Sequence, residues 1–364
     1  MIYVAYFIFS FTVIQFLIAL VNLLTQTHLP YSSGKCAMKI SVLIPARNEQ
    51  DNIGNLLNDF ESLKVNDLEI LVFDDQSEDN TAPVINEFVS RDGRFRIIQS
   101  DGLPEGWLGK NYACHSLAAQ AKGDYLLFLD ADVRINASLI PDALHYAEET
   151  GSDLVSIFPM QKIITAGEWA TVPNMNYILA SLLPLLLVRK TKNQSLAAAN
   201  GQFMLFRSSV YKEALPHELF KNNKVEDILT ARFFKKIGYR VSCLLGDERI
   251  TCRMYSGYSE AVNGFSKNIT EFFGGSYSVA VTFWVLTTFG FFPVFWYLPA
   301  HLSAAYLFFW VLTRIAIARS GRQSIIKNLV FIIPLQLSMG VMIYKSFINK
   351  TLNRYVWKGR MIKH

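Results

Sequence analysis

The first 24 residues, MIYVAYFIFSFTVIQFLIALVNLL, contain no charged side chain and are long enough to cross a bilayer as one helix. They carry neither the positive start nor the small-residue cleavage site of a secretory signal peptide, so we predict a retained membrane anchor over residues 1–24. The composition agrees, because 51% of the 364 residues are hydrophobic and only 18% are charged. This balance is unusually apolar for a soluble protein.

Further apolar runs return near the end of the chain, at about 278–297, 299–318 and 325–345, and are interrupted by prolines. They have the length and composition of membrane helices or of a membrane-embedded hairpin. We therefore expect C-terminal membrane segments over residues 278–346, followed by a basic cytoplasmic or juxtamembrane tail over residues 347–364.

Basic residues beside the apolar segments indicate their orientation. Lys35, Lys39 and Arg47 follow the anchor closely, so the positive-inside rule predicts a multi-pass protein of the cell membrane whose chain is cytoplasmic from residue 25 onward. Three full C-terminal crossings would leave the basic tail outside, against the same rule, so one run is expected to be re-entrant or interfacial, and the sequence does not say which. Apart from Lys345, these runs show no ionisable residue paired at mid-depth, which argues against a transporter or channel.

The net charge of +5 is a modest excess that suits an anionic membrane surface or an anionic substrate. It is too small and too dispersed to predict nucleic-acid binding. The cysteines show no paired metal-ligand spacing, which indicates reduced thiols in a cytosolic compartment, at Cys36, Cys114, Cys243 and Cys252.

The middle of the chain alternates β-rich runs with helical stretches. Apolar runs that predict strands lie at 39–45, 68–75, 95–100, 125–129 and 153–159, and helices are expected at about 50–62, after Ser77, and at about 110–121 and 138–149. This alternation predicts an α/β fold with a mostly parallel sheet covered on both faces. Ligands of such sheets bind beyond the carboxyl ends of the strands.

Two of these strands end in pairs of acids. Asp74 and Asp75 follow the second, and Asp130 and Asp132 follow the fourth, in the string YLLFLDADV. Carboxylates gathered at one edge repel each other unless a cation offsets them, and oxygen ligands of this kind suit Mg²⁺ or Mn²⁺. We therefore predict a divalent metal together with a nucleotide diphosphate.

Two other phosphate-binding patterns are missing. No Gly-x-Gly-x-x-Gly follows the first strand, and Gly109-Lys110 lacks the hydroxyl residue and glycine spacing of a P-loop. A diphosphate would thus be held by metal and side-chain cations.

Five ordered motifs over residues 38–270 resemble family 2 glycosyltransferases: VLIPARNE (42–49), VFDDQSEDNT (72–81), DGLPEGWLGKNYAC (101–114), FLDADV (128–133) and VEDILTARFFKKIGYR (225–240). The resemblance implies a nucleotide-diphospho-sugar transferase fold, which is Rossmann-like with a mostly parallel sheet, here with N-terminal and C-terminal membrane helices. The stretches GWLGKNYAC, RMYSGYSEAVNGFSKN (253–268) and WKGR (357–360) more narrowly resemble the bacterial branch that glycosylates lipids such as the carotenoid acid diaponeurosporenoate.

The resemblance also implies residue roles. It implies that the nucleotide-sugar is contacted by Pro45, Ala46, Glu49, Asp75, Lys110 and Asp130. Asp132 matches the metal ligand, and Asp227 matches the general base that faces the acceptor. Processive members carry a Gln-x-x-Arg-Trp motif after the base; it is missing here, Arg253 lies in its place, and a single transfer is implied.

Some of these residues also have structural interpretations. Asp74 and Asp75 suit a turn or a helix cap, and Asp74 is the more structural of the two. Glu226 and Asp227 suit the first turn of a helix, where the dipole favours acids. Gly201 and Gln202 suit either the wall of a sugar pocket or a backbone requirement for glycine.

Two segments are expected to lie at the membrane surface. The run ILASLLPLLLV (178–188) is short for a crossing and is broken by Pro184, so an interfacial helix near 170–190 is preferred to a core helix. A second interfacial helix is expected near 258–270.

Taken together, the sequence predicts an inverting glycosyltransferase that moves a sugar, most simply glucose from UDP-glucose, to a lipid acceptor such as a carotenoid acid. The alternatives are another lipid acceptor (a hopanoid, a glycerolipid or a polyprenyl phosphate) and a non-catalytic membrane scaffold. Its partners would be a nucleotide diphospho-sugar, membrane lipids and the lipid acceptor.

Overall fold

The computed structural model describes residues 1–32, 38–63, 67–136, 138–352, 355–357 and 360–362. Lys35 and Cys36, together with Arg354, Lys358 and Lys363 of the predicted basic tail, lie outside the described residues.

The strands, in chain order, are β1 (Ile40–Ala46), β2 (Leu68–Asp74), β3 (Phe95–Gln99), β4 (Tyr125–Leu129), β5 (Val133–Ile135), β6 (Leu154–Phe158), β7 (Met160–Gln161), β8 (Phe203–Arg207), β9 (Val241–Leu245), β10 (Ile250–Cys252), β11 (Tyr355–Trp357) and β12 (Arg360–Ile362). The helices are α1 (Ile2–Leu24), α2 (Ile53–Glu61), α3 (Thr81–Arg91), α4 (Gly109–Gln120), α5 (Leu139–Thr150), α6 (Ala166–Trp169), α7 (Pro173–Leu182), α8 (Leu185–Lys190), α9 (Ser208–Ala214), α10 (Pro216–Leu219), α11 (Glu226–Ile237), α12 (Tyr258–Phe265), α13 (Tyr277–Phe289), α14 (Phe291–Tyr297), α15 (Ala300–Ser320), α16 (Ile325–Val330) and α17 (Ile332–Thr351), with a 3₁₀ helix at Ile269–Phe273.

The described chain separates into two compact units. The sheet unit comprises His28–Met160 and Leu185–Cys252, and the helical unit comprises Met1–Thr27, Gln161–Pro184 and Arg253–His364. The sheet unit is narrower than the domain predicted over residues 38–270, because two stretches of that domain, 161–184 and 253–270, belong to the helical unit.

A seven-stranded sheet with the order β3-β2-β1-β4-β8-β6-β9 forms the centre of the sheet unit. β1 pairs in parallel with β2 and β4, β2 with β3, and β6 with β9, whereas β8 is antiparallel to both neighbours. The predicted mostly parallel sheet is confirmed, and all five predicted strands are present as β1, β2, β3, β4 and β6. Strand β9 and the antiparallel direction of β8 were not predicted from the sequence.

The core of the sheet unit explains why these strands are so apolar. β4 is buried along its whole length, and so is β6. Helices α2 and α5 contribute buried side chains to the same cluster, including Ile53, Phe60 and Leu144. A strand covered on both faces has no polar side, which is why the run before Asp130 shows no alternation.

A buried arginine joins the two ends of the sheet unit. Arg249, 1% exposed, donates from Nε and Nη2 to Asp247 and from Nη1 to Asp142 at 2.7 Å. It also donates to the backbone carbonyl oxygen of Leu29 at 2.5 Å and to that of Pro30 at 3.3 Å. The guanidinium thus fixes the chain just before β1 to the loop before β10.

The helical unit is built from α1, the inserted stretch 161–184 and the C-terminal helices. Two of its helices, α1 and α15, are long and apolar enough to cross a membrane, and a third span is present if the bent pair α13 and α14, which meet at 51°, counts as one. The run expected over 325–345 is divided into α16 and α17. Neither of these two helices meets the same length and hydropathy conditions within the described residues.

Polar contacts hold the inserted stretch inside the helical unit. Asn22 of α1 donates to the backbone oxygens of Ala180 and Leu183, and Gln15 donates to Ser181. The expected interfacial helix near 170–190 is two helices in the structure, α7 and α8. All residues of α7 from Pro173 to Ser181 are buried, so this segment has the character of a core helix.

We predict that Arg249→Met destabilises the folded protein strongly. The substitution leaves Asp247 and Asp142 buried without their cation, and breaking a buried ion pair from one side costs about 3–5 kcal/mol. Chemical and thermal unfolding of the full chain in mild detergent measures the loss. Arg96→Met, which removes an exposed contact to Glu69 at 3.9 Å, is the matched control and should cost less than about 1 kcal/mol. Equal losses in the two variants would contradict the assignment.

Candidate active site

Strand direction brings the predicted site residues to one edge of the sheet. β1, β2 and β4 end at this edge, and β8, being antiparallel, begins there. Leu129 is paired with Phe203, so Gly201 and Gln202 lie beside Asp130, whose backbone N–H donates to the Gln202 carbonyl oxygen at 3.3 Å. The edge therefore combines the loops that follow three parallel strands with the loop that precedes β8.

Lys110 and Asp130 form an ion pair at this edge. The ammonium lies 2.7 Å from Oδ1 and 2.9 Å from Oδ2 of Asp130, and it also donates to the Gly201 carbonyl oxygen at 3.3 Å. Burial lowers the pKa of Lys110, but the neighbouring Asp130 and Glu226 carboxyls outweigh it and raise that pKa above its ordinary value. Lys110 is therefore a permanent cation.

Two acids begin helix α11 opposite this pair. Asp227 accepts hydrogen bonds on both oxygens, from the Gly201 N–H at 2.9 Å and from the Ile228 N–H at 2.8 Å. Glu226 is 6% exposed. Its pKa is raised to about 8, chiefly by burial and further by Asp227, although Lys110 acts in the opposite direction. Burial also raises the pKa of Asp227, while its two backbone donors lower it.

These environments give the two adjacent acids different tasks. Asp227 has donors from two other residues that stabilise its ionised form, whereas Glu226 has only its own backbone N–H and keeps its proton at neutral pH. Adjacent titratable groups that differ in this way are typical of acid–base sites. Asp227 is the group prepared to accept a proton.

The position of Asp227 depends on an asparagine that the sequence analysis did not single out. The buried Asn111, next to Lys110, donates to the backbone oxygens of Phe220 and Asn223, each at 2.9 Å, and to that of Lys221 at 3.2 Å. One side-chain amide thus holds the loop that leads into α11. Its only sequence signal is its place beside a predicted site lysine.

Glycine at position 201 leaves room for three ionisable side chains that approach it. A Cβ atom at position 201 would lie 3.1 Å from Lys110 Nζ, 3.4 Å from Glu226 Oε1 and 3.6 Å from Asp227 Oδ2. The first of these distances is tighter than ordinary contacts. The sequence suited Gly201 either to the wall of a sugar pocket or to a backbone requirement. The distances favour a related explanation, which is the close approach of side chains of the site.

Asp132 lies two residues beyond Asp130 and accepts a hydrogen bond from Gln202 Nε2 at 3.4 Å. Burial raises its pKa to about 6, and the charges of Asp130 and Glu49 add to this effect. Glu49 follows β1, and its backbone N–H donates to Thr81 Oγ1 at 2.7 Å. Asp132 and Glu49 therefore share an electrostatic environment although they come from different strands.

The remaining predicted residues lie one strand further along the edge. Asp75 is 2% exposed, and its backbone N–H donates to the Ala46 carbonyl oxygen at 2.9 Å. Pro45 precedes Ala46 in β1. Arg47 donates to the backbone oxygens of Asp75 and Gln76. Asp74 accepts from the Ser77 N–H at 3.2 Å, the turn-capping contact expected of the more structural acid.

A divalent metal is implied by the resemblance, and the donor set is compatible with one. Within the described residues no three His, Cys, Asp or Glu side chains are arranged to hold a metal by themselves. Mg²⁺ in phosphate sites is nevertheless commonly held by one or two carboxylates, with phosphate oxygens completing the shell. Asp132 has a raised pKa beside other acids, and this excess of negative charge is what a cation would offset.

Arg253 occupies the place of the missing Gln-x-x-Arg-Trp motif in the sequence, but in the structure it is paired with a carboxylate. It donates to Glu168 Oε1 at 2.8 Å, and both residues belong to the helical unit. The contact occupies one side of the guanidinium, whose side chain remains 40% exposed.

We predict that Glu226→Gln removes a pH-dependent loss of stability. Between the ordinary pKa of 4.5 and the folded value of about 8, the folded chain retains a proton that the unfolded chain has released, so wild-type stability falls as pH rises through this window. The variant has no carboxyl group to titrate at this position, so its free energy of unfolding relative to that of wild type should increase from pH 4.5 to 8. Thermal unfolding across this range measures the difference, with Glu87→Gln, at an exposed position, as control. Parallel profiles for all three proteins would contradict the assignment.

Part of the sequence matches a known protein family. Residues 41–215 match the family described as glycosyl transferase family 2. A 4,4'-diaponeurosporenoate glycosyltransferase of Staphylococcus haemolyticus (strain JCSC1435) is 27% identical over 241 residues, which cover 65% of this chain and 62% of that protein. The enzyme of the same name from Staphylococcus aureus (strain USA300) is 25% identical over 256 residues, 69% of this chain and 66% of that protein. The match thus spans less than two thirds of the length of these relatives.

A solved structure supports the fold over almost the whole chain. Mannosyltransferase PcManGT from Pyrobaculum calidifontis, in complex with GDP-Man and Mn²⁺, superposes with a TM-score of 0.61 at 14% identity, covering 96% of this chain and 99% of that chain. The predicted nucleotide-diphospho-sugar transferase fold is confirmed by this likeness. The family match runs from β1 to the end of α9, so this part of the chain is similar to the family 2 glycosyltransferases.

Proposed function

We propose that this protein is an inverting glycosyltransferase that moves a sugar, glucose, from a nucleotide diphospho-sugar to a lipid acceptor at the membrane. The observation that carries the proposal is the meeting of Asp227, Lys110 and Asp130 around Gly201 at the carboxyl edge of the sheet. This arrangement combines an oriented base with a fixed cation. Asp227 lies beyond the residues matched by the family, so its role rests on this geometry and on the VED motif.

The proposed reaction is a direct displacement. Asp227 takes the proton of an acceptor hydroxyl while the acceptor oxygen forms a bond to the anomeric carbon. The bond from that carbon to the diphosphate breaks, and the diphosphate leaves with the electron pair on the opposite face. One displacement inverts the configuration. Lys110 stabilises the negative charge that develops on the departing diphosphate, an electrostatic contribution that is often the largest in catalysis.

The nucleotide would lie along the adjacent part of the edge. The base and ribose are proposed to be contacted by Pro45, Ala46, Glu49 and Asp75, and Asp130 is proposed to contact the ribose or the shell of the metal. Asp132 is proposed to hold the Mg²⁺ or Mn²⁺. When bound, such a metal would supply positive charge to the diphosphate.

The acceptor is proposed to be a carotenoid acid. Support comes from the names of the staphylococcal relatives and from the membrane-type helices α1 and α15. If the acceptor is a carboxylate, it is already ionised near neutral pH, and Asp227 orients it instead of removing a proton. A hopanoid, glycerolipid or polyprenyl phosphate is the alternative acceptor. The sheet unit is proposed to be cytoplasmic in a multi-pass protein of the cell membrane, with UDP-glucose as donor.

Labelled UDP-glucose tests the proposal. Membranes that contain the full chain are incubated with the donor, and the lipids are extracted and examined by mass spectrometry. We expect label in a lipid product whose mass identifies both sugar and acceptor, and at least tenfold less of it with Asp132→Ala. Label that remains wholly in the aqueous phase would contradict a lipid acceptor.

Asp227→Asn tests the base. The substitution keeps the size of the side chain and removes its basicity, so we expect turnover of a hydroxyl acceptor to fall by about 10²–10⁴ while the donor KM changes little. With a carboxylate acceptor the fall should be much smaller. Asp74→Asn, at the acid that caps the turn at Ser77, is the matched control. Equal losses of turnover and donor binding would count against the assignment.

A further inference from the structure

A cation lies inside one of the membrane-type helices without an ionic partner. Arg314 belongs to α15, six residues before its end at Ser320, which is about 9 Å along the helix axis. Its side chain is buried, with the residue 4% exposed. The apolar runs were expected to hold no ionisable residue paired at mid-depth apart from Lys345, and this buried arginine adds to that description.

The surroundings of Arg314 are aromatic. The guanidinium carbon lies 3.5 Å from the ring centre of Tyr177 and 6.0 Å from that of Trp310. Its Nε and Nη2 atoms have no hydrogen-bond partner within the part of the chain that the structure describes. A cation–π contact recovers part of the lost hydration of a guanidinium, but it provides no acceptor for the N–H groups.

Within the described residues of the helical unit, none of the acids is paired with Arg314. The sequence of this unit holds thirteen Lys and Arg residues but only three acids, Glu168, Glu260 and Glu271. Glu168 is bound to Arg253, and Glu260 accepts hydrogen bonds from Ser256. No ion pair in the described residues includes Arg314. Its positive charge therefore has no counter-ion in the described part of the chain.

Arg249 shows what a satisfied buried guanidinium looks like in the same protein. It has two carboxylates and two backbone carbonyls as acceptors. Arg314 is buried to a comparable degree and has none of these acceptors. An uncompensated buried charge is strongly unfavourable, and an ionisable residue within a membrane segment is by default a functional site.

We propose that Arg314 binds the anionic oxygen group, a carboxylate or a phosphate, of a membrane lipid. The planar fork of N–H donors fits either group in a bidentate manner, and Tyr177 lies against one face of the guanidinium, so the ring does not use the N–H groups at its edge. The lipid is either an acidic acceptor or an anionic phospholipid that belongs to the membrane. This site goes beyond the proposed transfer reaction, which does not depend on it.

The test uses the full chain in nanodiscs of phosphatidylcholine, with and without a minority of phosphatidylglycerol. Native mass spectrometry measures bound lipid, and thermal unfolding measures the stabilisation it gives. The variants are Arg314→Gln, Arg314→Lys and the control Arg319→Gln, which removes an exposed arginine of the same helix. We expect wild type and Arg319→Gln to hold phosphatidylglycerol about tenfold more tightly than Arg314→Gln, with Arg314→Lys between them.

A second arm separates the two sources of the anion. Oleic acid and oleyl alcohol, added to phosphatidylcholine nanodiscs, differ only in the carboxylate. Selective binding of oleic acid that Arg314→Gln abolishes indicates a carboxylate-bearing lipid, whereas selectivity for phosphatidylglycerol alone indicates a phospholipid.

Two results would overturn the proposal. One is equal lipid binding by wild type, Arg314→Gln and Arg319→Gln. The other is a lower melting temperature for Arg314→Gln by the same amount in every lipid, which would show that the arginine only packs against Tyr177. If Arg314→Gln does not fold, Arg314→Lys is compared with wild type instead. Equal binding of both lipid mixtures by Arg314→Lys and wild type would then contradict a bidentate site.

Discussion

The pairing of β4 with the antiparallel β8 is the constraint on which the site depends. Because Leu129 is opposite Phe203, the backbone of residues 201 and 202 lies beside Asp130. Gly201 then uses both of its backbone polar groups, with its N–H on Asp227 and its carbonyl oxygen on Lys110. A shift of the register by one residue would turn every side chain of β8 to the other face of the sheet and separate these groups. The arrangement of Asp227, Lys110 and Asp130 is therefore set by the strand that Gly201 precedes.

The sequence predicted the site best where acidic residues come directly after a strand. The acids after β2 and β4 could be placed at one edge because parallel strands end on the same side, and the apolar strands between them show no alternation. The roles of Lys110 and Asp227 came from the motifs and not from periodicity. For Asp227 in particular, a first-turn acid and a proposed base look the same in sequence, and the hydrogen bond from Gly201 becomes visible only in the fold.

What could not be predicted depends on contacts between distant residues. Asn111 matters because it reaches backbone oxygens more than 100 residues away, and no local pattern marks such a residue. The raised pKa of Glu226 results from burial, which is known only once the fold is known. The surroundings of Arg314 could not be predicted either, because only the packing of α15 against α7 shows that this arginine is enclosed.

The clamp at Arg249 has a consequence for how the chain is made. The guanidinium bonds to Leu29 across 220 residues of sequence, and His28 reaches the carbonyl oxygen of Leu245 at 2.9 Å. Neither bond can form on the ribosome until residues 245–249 have emerged, by which time α1 has long been synthesised. Since domains fold as units during translation, completion of the sheet unit is a late event, and until then its incomplete edge must be kept from pairing with other chains.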